Sequence, residues 1–122
     1  MPGLADYLDL TADAARAQYR ELLLRTPVTS GRQVDFLPVE TLLCLAASFR
    51  VNHRHYGGST ADQAPEPVPS LARLSSRPPS SVLAKMANLD GSRKHGGKWD
   101  ILAGATLRDD PDRFTELYRR CC

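Results

Sequence analysis

The chain has 122 residues, with 16 Lys+Arg against 14 Asp+Glu, a formal net charge of +2 and 42% hydrophobic residues. That is the size and apolar content expected of one ordinary soluble domain, too apolar for a fully disordered chain. No apolar run approaches the roughly 18 residues of a membrane span, and the total charge is too small to make the whole surface a polyanion binder.

The N-terminal segment carries Asp6 and Asp9 and has no basic start followed by an apolar stretch, so no secretory leader is expected. The three cysteines, Cys44, Cys121 and Cys122, are odd in number and include an adjacent pair. Neighbouring cysteines do not meet disulfide geometry easily, and a stapled secreted scaffold is cysteine-dense and even. The expected compartment is a reducing one, the cytoplasm, with Cys44 as a small core residue inside Leu42-Leu43-Cys44-Leu45-Ala46.

In chain order, Ala12, Ala15, Tyr19, Leu22 and Leu23 recur at helical spacing, with Thr11 or Asp9 placed to cap and Pro27 beyond the end. Val39, Leu42, Leu43, Ala46 and Phe49 describe a second helix, with Pro38 at its first position and Glu40 in its first turn. Residues 57–69 read GGSTADQAPEPVP, without periodicity, and are expected to form a flexible internal linker. Beyond it come a short helical segment with Leu71 and Leu74, a break at Arg77-Pro78-Pro79, and a helix from about Ser80 to Leu89 ended by Asp90-Gly91. Trp99, Leu102, Ala103 and Leu107 read as the apolar face of the next helix. Asp110 and Pro111 then start a last one bearing Phe114, Leu117 and Tyr118. No strand pattern and no repeat stands out. The expectation is one all-α domain over 1–122 with five or six short helices.

The charge is unevenly spread. Residues 1–66 carry six basic and eight acidic side chains, net −2, and residues 99–122 carry four and five, net −1. Residues 67–98 carry Arg73, Arg77, Lys85, Arg93, Lys94 and Lys98 against Asp90 alone, net +5. Such a concentration is the electrostatic footprint of a phosphate-backbone binder, although clustered cations also form plain solvated faces. On a helical wheel Val82, Met86 and Leu89 fall on one side, and Ser81, Lys85 and Asn88 on the other. That polar stripe would offer donors to phosphates and, through Asn88, a partner for an adenine edge. Ser80 and Ser81 begin the helix, where free N–H groups favour an anion. With the preceding segment and the tight turn, the layout is helix-turn-helix-like, with proline where glycine is more usual.

The stretch Leu74-Ser75-Ser76-Arg77-Pro78-Pro79-Ser80-Ser81-Val82-Leu83-Ala84-Lys85-Met86-Ala87-Asn88-Leu89-Asp90 resembles the N-terminal region of restriction-like HNH endonucleases, those of actinobacteria in particular. The helix from Pro38 to Arg50, ending in the aromatic–arginine pair Phe49-Arg50, is similar to a helix of the same region. The resemblance covers about half the chain. It implies a DNA-recognition or positioning module attached to a metal-dependent nuclease, with Arg77, Ser81, Lys85 and Asn88 at the motif positions. The nuclease domain itself is not expected here, because Asn52-His53-Arg54-His55 offers histidines without two strands and a helix.

Other chemistry is weaker. His53, His55, His95 and Cys44 lack any C-x-x-C companion for zinc. Gly91 to Lys98 has five residues between its glycines, not the four of a phosphate loop, and Trp99 follows the lysine. Neither Ser80 nor Ser81 has a nucleophile setting. The expected molecule is therefore a non-catalytic binder of double-stranded DNA, plain or modified, without metal or cofactor. Its interface would be Arg77, Ser80, Ser81, Lys85, Asn88, Arg93, Lys94 and Lys98. The rival expectation is a helical protein-interaction domain whose basic face meets an acidic partner chain.

Overall fold

The computed structural model describes residues 4–29, 33–91 and 98–121. Among them it has seven α-helices: α1 (Leu4–Leu8), α2 (Ala12–Leu24), α3 (Pro38–Ser48), α4 (Val68–Ser75), α5 (Pro79–Leu89), α6 (Lys98–Asp109) and α7 (Pro111–Cys121). Two 3-10 helices, His53–His55 and Gly58–Gln63, link α3 to α4, and no strand is present among the described residues.

The helix starts follow from local chemistry. The Thr11 hydroxyl accepts from the Ala14 N–H at 3.1 Å, so Thr11 rather than Asp9 caps α2. Pro38 and Pro79 occupy the first positions of α3 and α5, and the Asp110 carboxylate accepts from the Arg113 N–H at the start of α7. The Val39 N–H at the start of α3 is satisfied by the Gln18 side chain of α2, at 2.9 Å. Between α4 and α5, Ser76 adopts a left-handed conformation (φ 53°, ψ 45°) that more often takes glycine. Its hydroxyl donates to the Arg25 carbonyl at 3.0 Å, which ties this turn to the end of α2.

Helices α3 and α5 form the centre. In α3, Val39, Leu42, Cys44, Leu45 and Ala47 are buried, as expected of a helix apolar nearly all round. In α5, Val82, Leu83, Met86, Ala87 and Leu89 are buried, and the helix packs against α3, α4, α6 and both 3-10 helices. The remaining elements enclose this pair: α1 lies on α3 and α6, and α7 lies on α2, α3 and α6.

Four details depart from the sequence reading. Helix α1 was not anticipated, because five residues are too few to show a period, yet Tyr7 and Leu10 beside it are buried. Segment 57–69, expected as a linker, contains the second 3-10 helix and the start of α4, and it buries Ala61, Ala64 and Val68 in the core. Small side chains at irregular spacing give no periodic signal even where they pack. Phe49, expected on the buried face of α3, is 57% exposed at the end of that helix. Finally, the buried stripe of α6 is Asp100, Ala103, Gly104 and Leu107, while Trp99 and Leu102 lie outward, so Trp99 is not the core residue expected. A stripe built on an aspartate and a glycine is invisible to a hydrophobicity pattern.

Gly104 is required by that packing. A Cβ there would lie 2.2 Å from the Leu89 carbonyl oxygen of α5, and the same carbonyl accepts from Arg108 of α6 at 3.0 Å. In an exposed helix, Gly→Ala stabilises by about 1 kcal/mol. Here backbone would have to move, so Gly104→Ala is expected to destabilise by roughly 1–3 kcal/mol in urea unfolding. A raised unfolding midpoint would contradict this packing.

Candidate nucleic-acid interface

Arg77 closes the turn before α5 and is 6% exposed. Its Nε donates to Glu40 Oε2 at 2.6 Å and a terminal nitrogen to Oε1 at 3.2 Å. It also donates to the carbonyls of Val34 and Asp35, and its guanidinium lies 3.7 Å from the Phe36 ring centroid. Four hydrogen bonds to protein and near-complete burial commit Arg77 to the interior, so it is not a surface cation.

Lys85 and Asn88 do share a stripe, but α6 covers it. Lys85 Nζ reaches Asp100 Oδ2 at 2.7 Å, with 12% and 7% of the two side chains exposed. Asn88 Nδ2 donates to the same oxygen at 3.4 Å, and Tyr7 donates to Oδ1 at 3.4 Å. Lys85 also stands 4.5 Å from the Phe36 ring, on which Arg77 stacks. The Lys85–Asn88 part of the stripe that reads as a solvent face is thus part of the contact of α5 with α6. Of the other positions, Ser80 is exposed and Ser81 half-buried at the N-terminal end of α5. Arg93 and Lys94 lie outside the described residues, as does the side chain of Lys98. Arg73 pairs with Glu66 at 3.5 Å on the surface.

On α5, Lys85 and Asn88 are committed to Asp100, and Arg77 in the turn before it is committed to Glu40, so these three do not form an outward reading face. A different face gathers basic side chains, of which Arg50 and Arg54 are exposed. At the end of α3 and along the first 3-10 helix, Arg50, His53 and Arg54 surround an open polar recess of about 470 Å³ with Asp90 and Arg108. His53 Nε2 and Asp90 Oδ2 are 2.6 Å apart, which fastens this short helix to the C-terminal end of α5. Among the described residues Arg50 forms no ion pair.

Next to this recess, and sharing Phe49, Arg50 and Arg108 with it, is an apolar hollow of about 430 Å³ against α7. Its wall is an aromatic row. Phe49 and Phe114 have centroids 5.4 Å apart, and Phe114 and Tyr118 6.1 Å. Exposed Phe49 and Tyr118 thus stand beside three arginines on one continuous surface. The aromatic–arginine pair Phe49-Arg50 was legible in the sequence. That Arg54 and Arg108 join it was not, because they come from different elements.

Among the described residues no group of three or more His, Cys, Asp or Glu is placed to hold a metal, and no helix is long and apolar enough to cross a membrane. The chain matches no family model, no curated protein and no solved structure.

Two buried groups titrate far from their ordinary values. Burial, and then the Asp100 charge, push the Tyr7 hydroxyl up to about 12. Burial, and then the Glu40 charge, push the Cys44 thiol up to about 12. Both favour the protonated form in the folded state. The stability they contribute is complete below the unfolded values of about 8.5 and 10 and is lost as pH rises toward 12. Chemical denaturation between pH 7 and 11 should show a plateau followed by a fall above about pH 9, with Cys44 protected from alkylation on the plateau. A flat profile to pH 11, or native alkylation of Cys44 at the unfolded rate, would contradict the burial of these groups.

Proposed function

We propose that this chain is a DNA-binding module whose contact face is formed by Phe49, Arg50, Arg54, Arg108 and Tyr118 rather than by α5. The observation that carries the reading is the meeting of three arginines and two exposed aromatic rings on one surface at the end of α3. Arginines there suit phosphate oxygens, and a neighbouring ring suits apolar contact with sugars or a thymine methyl.

The resemblance to the N-terminal region of restriction-like HNH endonucleases supports a recognition or positioning role beside a nuclease domain or partner chain. Within the resembling stretch, Arg77, Lys85 and Asn88 serve to assemble the helices. Phe49 and Arg50 remain outward and available. The chain's own role in this reading is binding, with cleavage chemistry supplied elsewhere.

The test is fluorescence anisotropy of a labelled 20-base-pair duplex, plain and cytosine-methylated, across a salt series. Losing two phosphate contacts in Arg50→Ala/Arg54→Ala should make the log–log salt slope shallower by roughly 2. Binding of the parent without salt dependence, or an unchanged slope in the variant, would remove DNA contact from this face.

A further inference from the structure

The other flank of α7 borders a second, larger opening. Residues of α2, α3, α4 and α7 line a groove of about 880 Å³. Its floor is apolar: Ala12, Ala15 and Tyr19 of α2, Leu43 of α3 and Leu74 of α4. Its rim carries Arg16 and Arg20 on one side and Arg119 and Arg120 on the other, with Glu116 the one acidic lining residue among the described residues.

Two of these arginines have local partners. Arg16 pairs with Asp13 one turn back, and Arg120 pairs with Glu116 at 2.6 Å and donates to the Leu10 carbonyl at 2.8 Å. Arg20 and Arg119 are exposed, and among the described residues neither forms an ion pair. They face the groove from opposite banks with their charge unanswered.

The apolar stripe of α2 is also incomplete. Ala12, Ala15, Tyr19, Leu22 and Leu23 read as one face, yet only Ala15 and Leu22 are buried. Tyr19, which lines the groove, is 37% exposed, and Leu23, one helical turn further along α2, is 61% exposed. A helix that carries a stripe wider than its own core contact presents the remainder to a further element.

We infer that this groove docks an amphipathic α-helix of acidic character from a partner chain. The stripe from Ala12 to Leu23 is about three turns long, roughly 16 Å, which matches a helix of about 12 residues laid between α2 and α7. Apolar side chains at i, i+3, i+4 and i+7 of that helix would cover Tyr19, Leu23, Leu43 and Leu74, and its flanking carboxylates would face Arg20 and Arg119. A nucleic acid would answer the charge but not the apolar floor. A neutral apolar segment would do the reverse. This site is separate from the Phe49 face and does not depend on the DNA reading.

The probe is a fluorescein-labelled amphipathic peptide with a leucine stripe at helical spacing and glutamates on both flanks, alongside an isomer with lysine in place of each glutamate. The full chain should bind the glutamate peptide with a Kd of roughly 10–100 μM and the lysine isomer at least about tenfold more weakly. Arg20→Glu/Arg119→Glu should weaken the glutamate peptide at least about tenfold and improve the lysine isomer, with an unchanged melting temperature. Arg50→Ala/Arg54→Ala should leave peptide binding as in the parent. The inference is overturned if neither peptide binds, if the two bind alike, or if the charge reversal leaves both affinities unchanged.

Discussion

Glu40 lies at zero exposure with Arg77 Nε at 2.6 Å and Arg25 at 2.8 Å from the same carboxylate oxygen. Its other oxygen accepts the Leu37 N–H at 2.8 Å and a second Arg77 nitrogen at 3.2 Å. A buried carboxylate is tolerated only when charge and hydrogen bonds replace its lost water, and removing one partner of such a pair costs about 3–5 kcal/mol. The partners here come from three places: the end of α2, the start of α3, and the turn between α4 and α5. One side chain thus holds together both sides of the 57–69 segment. It also fixes the turn at Ser76-Arg77-Pro78, because Arg77 spans from Glu40 to the carbonyls of Val34 and Asp35.

Phe36 connects this node to a second one. Arg77 lies over its ring, Lys85 stands nearby, and Lys85 passes on to Asp100. Asp100 in turn gathers Asn88 and Tyr7, so α1, α5 and α6 meet on one buried carboxylate. Both nodes place a carboxylate against cations that the composition assigns to the basic stretch 67–98. The net +5 of that stretch is a statement about sequence, and two of its six cations are neutralised by acids at positions 40 and 100, outside the stretch. The surface field therefore differs from the linear charge map, and the exposed arginines at positions 20, 50, 54 and 119 gain weight in it.

The helices α2, α3, α5 and α7 were readable because their apolar periods and N-terminal residues agree, as with Thr11 at α2 and Asp110 before Pro111 at α7. The existence of α6 was readable too, but not its orientation. Its buried stripe begins at Asp100, a residue any hydrophobic pattern sends outward, and includes Gly104, whose value lies in a missing Cβ. The same Asp100 covers part of the polar stripe of α5: Lys85 and Asn88 look solvent-facing until it arrives from fifteen residues beyond Lys85. Long-range charge pairing is absent from local patterns, and that is why Arg77, Lys85 and Asn88 read as surface groups in the sequence. The Phe49-Arg50 pair was visible as a motif. Its neighbours Arg54 and Arg108 became so only once α3, the first 3-10 helix and α6 were in place.

Arg77 is a structural cation bound to Glu40, on which both sides of the 57–69 segment depend. The direct measurement is a double-mutant cycle by urea unfolding with Glu40→Gln, Arg77→Met and the pair. A buried, mutually dependent pair predicts single losses of about 3–5 kcal/mol and a coupling of at least roughly 2 kcal/mol, the double variant being much less damaged than the sum. Single losses below about 1 kcal/mol that add without coupling would mean Arg77 faces solvent. The cations of the α4–α5 unit would then return to the surface as a binding face.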